Sequence, residues 1–272
     1  MLLLKYESTT TVPLEAECLT PEGLAGKTTV EIAALPVQHG NKQVPLGEFF
    51  RIEGDGADRD IVIEGDCSRV KWIGAGMAEG RITIRGNAGM HLGAEMRGGE
   101  IELHGDAGDW VGAEMRSGRI HVHGKAGHLV GAAYRGSRVG MRGGAILVNG
   151  SAGNEVGSTM RRGFIAVGGD TGDFAGVSLI AGSIFLFGQP GSRLGAGMKR
   201  GTIALFGAHP RLLSSFRFDC TYRPVFLRLY LRQLKAWSFP LHENYLEGEY
   251  ERYSGDLVSL GKGEILLMRN AE

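Results

Sequence analysis

Short segments of alternating apolar and polar residues recur along the middle of the chain, each enclosed by two glycines. The pattern is Gly-x-Ile-x-(Ile/Leu/Val)-x-Gly, and it begins at Gly80, Gly99, Gly118, Gly144, Gly163, Gly182 and Gly201. Strict alternation is typical of a half-buried β-strand, whose side chains point to opposite faces in turn. Successive starts are 19 residues apart, except for one step of 26. Each repeat therefore predicts one strand followed by turns.

Stacking of these repeats predicts the fold class. A large apolar residue forms a second column, at Met77, Met96, Met115, Met141, Met160, Leu179 and Met198. One such unit cannot bury its apolar side alone, whereas stacked units share a continuous core. We therefore predict an all-β fold, a right-handed parallel β-helix of 19-residue coils over residues 60–207. The long step contains seven extra residues, Tyr134 to Gly140, which we expect to form a loop leaving one coil.

The two ends of the chain lack the repeat. Residues 1–59 are predicted to form an N-terminal cap, in which Thr20-Pro21 is typical of the start of a short helix. Residues 208–272 are predicted to form a C-terminal extension. Within it, the segment from Arg223 to Trp237 has leucines at helical spacing among basic residues, so we expect a helix that closes the end or covers one flank.

Composition and charge narrow the class of partners. The 30 basic and 30 acidic residues cancel, which argues against a dedicated nucleic-acid binder. Three separate cysteines, Cys18, Cys67 and Cys220, suggest neither a disulfide framework nor a metal-binding pair. Because the chain has no signal-like start and no run of 18 apolar residues, we expect a cytoplasmic protein without a membrane segment.

Outward strand positions become apolar in the later coils. Phe185, Phe187 and Phe206 would form a hydrophobic patch there, and an exposed patch usually marks a covered surface. We expect both the C-terminal helix and a partner protein to cover it. Tyr134, at the head of the insertion, is the fourth predicted interface residue.

A column of positive charge follows the core methionines. It is formed by Arg97, Arg116, Arg142, Arg161 and Lys199. Coils about 4.8 Å apart bring these charges together, at a cost of roughly 0.9 kcal/mol per neighbouring pair even in water. One interpretation is a solvated face neutralised by Glu95 and Glu114. The other is a site for an anionic chain or for a partner's carboxylates, which Arg135 and Arg138 of the insertion would extend.

The sequence contains no motif for catalysis. His104, His121, His123 and Glu102 form the densest group of possible metal ligands, but outward polar residues on a solenoid are usually solvated. No GxSxG, HExxH or phosphate-loop pattern occurs. We therefore predict neither catalytic nor metal-binding residues in this chain. A carbohydrate lyase remains an alternative, because such enzymes also use β-helices.

The Gly-rich repeat resembles the β-helix shared by the C-terminal domain of glutamate synthase and the C subunit of formylmethanofuran dehydrogenase. The second resemblance is closer, because it includes non-repeating parts. These parts are Val37-Gln-His39-Gly40-Asn41, Leu46-Gly47-Glu48-Phe49-Phe50, Tyr134-Arg135-Gly136 before Gly140-Met141, and Ala152-Gly153-Asn154-Glu155-Val156-Gly157. The resemblance covers roughly residues 13–207. The tail, with Arg223-Pro224, is more similar to the bacterial formyltransferase/hydrolase complex of methylotrophs.

That resemblance implies a function for the chain within a complex. The complex would move a formyl group from formyl-tetrahydromethanopterin to a methanofuran-type carrier and release formate. The chain would be its non-catalytic scaffold, beside an amidohydrolase-like subunit, a formyltransferase subunit and a dehydrogenase-like subunit. It would bind no cofactor alone, although the complex would hold the carrier. The alternatives are a tungsten or molybdenum formylmethanofuran dehydrogenase and a glutamate-synthase-like structural spacer.

Overall fold

The computed structural model describes residues 1–207 and 210–269. The strands of these residues are β1 (Leu2–Tyr6), β2 (Leu14–Glu15), β3 (Pro36–His39), β4 (Lys42–Pro45), β5 (Phe50–Gly54), β6 (Asp60–Glu64), β7 (Val70–Lys71), β8 (Arg81–Arg85), β9 (Glu100–Leu103), β10 (Arg119–Val122), β11 (Arg142–Val148), β12 (Arg162–Val167), β13 (Ser183–Leu186), β14 (Arg200–Leu205), β15 (Arg217–Tyr222), β16 (Tyr250–Gly255) and β17 (Lys262–Met268). They form a thirteen-stranded sheet, β15-β16-β17-β14-β13-β12-β11-β10-β9-β8-β6-β1-β5, and a four-stranded sheet, β4-β3-β2-β7.

Parallel pairing of successive repeats builds the large sheet. From β6 to β14 each strand of that sheet pairs in parallel with the next, and Ile82, Ile101 and Ile120 occupy the same register position in neighbouring strands. A second line of bridges joins the turns, from Cys67–Ala88 to Thr171–Pro190. The all-β class and the 19-residue coil are thus confirmed, whereas the right-handed sense stays a prediction.

The interior is a stack of identical apolar positions. All seven residues of the methionine column are fully buried, as predicted. Glycines of a second column approach the isoleucines of the following coil: at Gly93, with φ of +61°, an added Cβ would lie 2.5 Å from Cδ1 of Ile120. Glycine is required there for space as well as for backbone conformation.

Polar side chains at the corners also bind the next coil. Asp109 Oδ1 accepts a hydrogen bond from the backbone N–H of His128 at 2.7 Å. Asn154 Oδ1 accepts one from Asp173 N at 3.0 Å, and Asp173 Oδ1 accepts one from Ser192 N at 2.7 Å. These contacts satisfy turn amides that the strands do not pair.

Among the described residues, three α-helices lie outside the coils: α1 (Pro21–Leu24), α2 (Thr29–Ala33) and α3 (Val225–Ala236). Thr20 caps α1 with its hydroxyl oxygen, which accepts from Gly23 N at 3.0 Å, as predicted. Two short 3-10 helices cover Leu46–Glu48 and Glu243–Glu247. None of the helices formed by the described residues is both long enough and apolar enough to cross a bilayer.

The large sheet extends into both ends of the chain. Strand β1 pairs with β6, so part of the predicted cap belongs to the main sheet. Strand β17 pairs in parallel with β14, so the sheet continues beyond residue 207, where we expected the solenoid to end. Strand β16 then adds antiparallel to β17, and β15 adds antiparallel to β16.

The C-terminal extension covers the aromatic patch. Helix α3 packs its buried Leu227, Leu231 and Leu234 into one apolar cluster with Phe185 and Phe206. Those two rings are 0% and 3% exposed, which corrects the expectation that they face a partner protein. The helix itself confirms the prediction from the leucine spacing.

Gly93→Ala should destabilise the fold far more than Gly76→Ala. Gly93 and Gly76 have positive φ, +61° and +68°. An alanine at either position would therefore have to adopt the left-handed backbone conformation, which costs about 1–2 kcal/mol. Only the Gly93 Cβ also meets Ile120, adding roughly 1–3 kcal/mol, because at Gly76 nothing lies within 4 Å. Urea unfolding of both variants measures the difference; equal losses would contradict the steric argument.

Candidate binding surface

Backbone hydrogen bonds hold the basic column in register. Arg97 N donates to Met77 O at 2.7 Å, Arg116 N to Met96 O at 2.8 Å, and Arg142 N to Met115 O at 2.6 Å. Arg161 and Lys199 bond in the same way to Met141 O and Leu179 O. The five cations therefore form one ladder along the solenoid. Ile180 interrupts the ladder between its last two members.

The cations of this basic ladder are exposed and form no ion pair with the described residues. Within residues 1–207 and 210–269, no carboxylate lies within 4.0 Å of the charged group of any ladder residue. Glu114, which we considered as a neutralising group, instead accepts a hydrogen bond from Tyr134 N at 3.1 Å. Glu95 forms no ion pair in the described part of the chain. Neither glutamate therefore forms a direct ion pair with the ladder among the described residues, and the solvated face and the anion site both stay interpretations of these exposed cations.

Aromatic stacking fixes the insertion loop beside the ladder. Trp72 and His91 stack at 4.0 Å between ring centroids, and the Tyr134 ring lies 4.9 Å from that of Trp110. Tyr134 Oη also lies 3.0 Å from His91 Nδ1. Sequence reasoning missed this cluster, although Trp72, His91 and Trp110 share the 19-residue spacing.

The insertion carries two further cations, in the repeat that ends at Arg142. Residues 134–140 contain no strand, which confirms the predicted loop. The loop returns with Gly140 N donating to Thr159 O at 3.0 Å, two residues before Arg142. Arg135 and Arg138 are both exposed and, among the described residues, have no carboxylate within ion-pair distance. The structure thus brings both arginines to the coil that carries Arg142.

A separate polar network occupies the outer face of the middle coils. His123 Nε2 lies 2.5 Å and His121 Nδ1 lies 3.3 Å from Glu102 Oε1. Asn149 holds both rings, through Oδ1 at 2.9 Å from His121 Nε2 and Nδ2 at 3.2 Å from His123 Nδ1. His121 is only 1% exposed, because Glu102 and Leu147 flank it in the adjacent coils. The expectation that these outward residues are solvated is therefore wrong for His121.

Charge and hydrogen bonding explain the chemistry of this network. Burial opposes ionisation of Glu102, but His121 and His123 outweigh it and lower its pKa to about 2. All four ring nitrogens of the two histidines thus face either Glu102 or Asn149. Arg119 adds a cation 3.6 Å from Glu102 Oε2.

The predicted interface residues do not form one surface. Phe185 and Phe206 lie beneath α3, whereas Phe187 is half-buried and stacks on Phe206 at 4.4 Å. Tyr134 lies on the insertion loop, where its ring packs within the chain. His104 stacks on His123 at 5.0 Å and is exposed.

Known proteins match both the repeat region of this chain and its C-terminal extension. The GXGXG motif family matches residues 61–218. The C subunit of molybdenum-containing formylmethanofuran dehydrogenase 1 from Methanosarcina barkeri is 46% identical over 85 residues, 30% of this chain and 28% of the relative. The C subunit of tungsten-containing formylmethanofuran dehydrogenase 2 from Methanothermobacter wolfeii is 42% identical over 85 residues, 30% of this chain and 32% of the relative. The chain thus spans less than a third of these curated relatives.

A solved structure matches the chain over nearly its whole length. It is the X-ray structure of the formyltransferase/hydrolase complex (FhcABCD) from Methylorubrum extorquens in complex with methylofuran. One chain of that structure is 34% identical, with a TM-score of 0.91, and the match covers 98% of this chain and 100% of that chain. The similarity therefore includes the N-terminal cap and the C-terminal extension.

The lowered pKa of Glu102 predicts a specific loss of stability in acid. A carboxylate with a folded-state pKa of about 2 and an ordinary value of 4.5 stabilises the fold fully above pH 4.5 and loses that contribution as the pH falls towards 2. The contribution is of the order of 3 kcal/mol. Glu102→Gln should flatten the fall in unfolding free energy between pH 4.5 and pH 3 in urea titrations. Glu64→Gln, which removes a surface pairing with Arg85, should change it much less, and identical slopes would contradict the assignment.

Proposed function

The chain belongs to the family of formylmethanofuran dehydrogenase C subunits, and we propose that it is the non-catalytic scaffold of a formyltransferase/hydrolase complex. The full-length similarity to a chain of such a complex carries this proposal, because it includes the cap and extension outside the shared repeat. Formyl transfer to a methanofuran-type carrier and release of formate would take place on other subunits. These would be an amidohydrolase-like, a formyltransferase and a dehydrogenase-like chain.

The scaffold role is consistent with the chemistry of the described residues. The group of three possible metal ligands found among them, Glu102, His121 and His123, is engaged with Asn149 and Arg119. Those contacts hold the outer face of neighbouring coils together, which is a structural role. The coils in turn form a stiff body, because each is hydrogen-bonded to the coil before and after it.

The basic ladder would bind an extended anion. Five coil steps separate Arg97 from Lys199, or roughly 24 Å at 4.8 Å per step. An extended peptide-like chain covers that length with about seven residues. Because the protein has no net charge, attraction of an anion would depend on this local column. We propose that the anion is an acidic tail of the carrier, with carboxylates of a partner protein as the alternative.

A redox parent complex is the second candidate. It is favoured by the partial matches to the C subunits of molybdenum- and tungsten-containing dehydrogenases, each over 85 residues. It is less well supported than the hydrolytic complex, because those matches leave most of each chain unaligned.

Identification of co-purifying subunits distinguishes the candidates. The tagged full-length chain would be isolated from its native host at low salt, and its partners identified by mass spectrometry. An amidohydrolase-like chain together with a formyltransferase is the expected result. A molybdenum- or tungsten-binding subunit would instead favour the dehydrogenase, and recovery of the chain alone would overturn both.

Charge reversal in the middle of the ladder should release the carrier. Arg116→Glu with Arg142→Glu replaces two attractions by two repulsions, so we expect the carrier content of the purified complex to fall about tenfold or more. Arg69→Glu with Arg211→Glu changes the net charge equally at exposed arginines outside the ladder and should leave carrier content unchanged. Retention of the carrier by the ladder variant, in an intact complex, would refute the carrier-tail proposal.

A further inference from the structure

A loop near the C-terminus exposes three aliphatic side chains. Leu257 is 54% exposed, Val258 is 86% exposed and Leu260 is 46% exposed. The loop joins β16 to β17, the last strand added in parallel to the solenoid sheet. Single exposed apolar residues are common, but three within four positions form a patch.

Polar contacts hold this loop in place. Asp256 is 5% exposed; its Oδ2 accepts from Gly197 N at 2.8 Å and its Oδ1 from Val258 N at 3.0 Å. Leu257 N donates to Ser215 O, and Ser259 N and Gly261 N donate to Asp256 O, each at 3.0 Å. The aliphatic side chains are therefore exposed on a loop whose backbone is fixed by hydrogen bonds.

Unpaired cations surround the loop. Lys262 follows it directly and stands opposite Arg200 in the sheet, next to Lys199, while Arg217 stands opposite Ser254 just before it. These four residues are exposed and, in the described ranges, have no carboxylate within 4.0 Å.

Two acidic residues of the neighbouring strands already contact other side chains. Asp219 lies 3.3 Å from Arg252, and Glu264 accepts a hydrogen bond from Thr202 Oγ1 at 2.6 Å. In a protein with no net charge, this end of the solenoid is therefore locally positive.

We propose that the loop of residues 256–261 is a docking knob that inserts into an apolar, acid-rimmed pocket of another protein subunit. Insertion would bury the aliphatic tip, while acidic residues around the pocket would pair with the surrounding cations. The inference rests on the proposed function, because it presumes a multi-subunit complex. It names the end of the solenoid, rather than the buried patch beneath α3, as a contact with that complex.

Substitution at the tip of the knob tests the proposal. Val258→Glu would place a charge in the apolar pocket and should weaken subunit retention in the purified complex about tenfold or more. Val30→Glu is the matched control, because Val30 is 77% exposed on α2 in the N-terminal cap. Circular dichroism and thermal unfolding would establish that both variants fold. Lys262→Glu should also weaken retention, and more strongly at low salt than at high salt.

The outcomes separate this inference from the proposed function. If the wild-type chain retains partner subunits and the folded Val258→Glu variant retains them equally well, the docking-knob proposal is wrong. The proposal that the chain belongs to a complex is then unaffected. If the wild-type chain retains no subunit, the proposed function fails first. Binding of the wild-type chain to vesicles of anionic phospholipid, abolished by Val258→Glu but not by Val30→Glu, would overturn the protein partner in favour of a lipid surface.

Discussion

The in-register hydrogen bonding between coils is the constraint on which the rest of the structure depends. Because each coil has the same length as its neighbours, a residue type repeated in sequence becomes a ladder in space. The same bonds that align Ile82, Ile101 and Ile120 in the core align Arg97, Arg116 and Arg142 on the surface. The core residues and the surface cations thus share the 19-residue spacing. The insertion at residues 134–140 does not disturb it, because those residues protrude from the coil as a loop.

The same constraint imposes conformational strain at the corners. Trp72, His91 and Trp110 have φ of 68°, 65° and 66°, in the left-handed region that side chains other than glycine rarely adopt. Each costs about 1–2 kcal/mol. The cost is offset because each amide donates to the following coil, as His91 N does to Asp109 O at 2.9 Å. The conformation also stacks the rings that fix Tyr134, so strain at a corner helps to position the insertion loop.

Local periodicity allowed the coils, the insertion and helix α3 to be predicted, and the Thr20-Pro21 pair allowed the cap to be predicted. Strand β17 was missed because it lies 62 residues after its partner and lacks the closing glycine, although Gly263, Ile265 and Leu267 align with Gly201, Ile203 and Leu205. Burial of His121 was missed for a related reason. Alternation tells which face of the sheet a side chain occupies, but what covers that face depends on adjacent coils and on residues such as Asn149, which are distant in sequence.

The surface chemistry follows from the difference between the side and the ends of a solenoid. On the side, like residues repeat, and cations in adjacent coils repel one another, so the basic ladder is less stable alone than with an anion along it. At the ends, repetition stops and the chain must cover the last coil with irregular structure. At the C-terminal end this covering includes Asp256, a buried carboxylate that holds an exposed aliphatic loop. A scaffold built in this way can bind an extended ligand along its side and a separate protein at its end, with Lys199 at the boundary between the two sites.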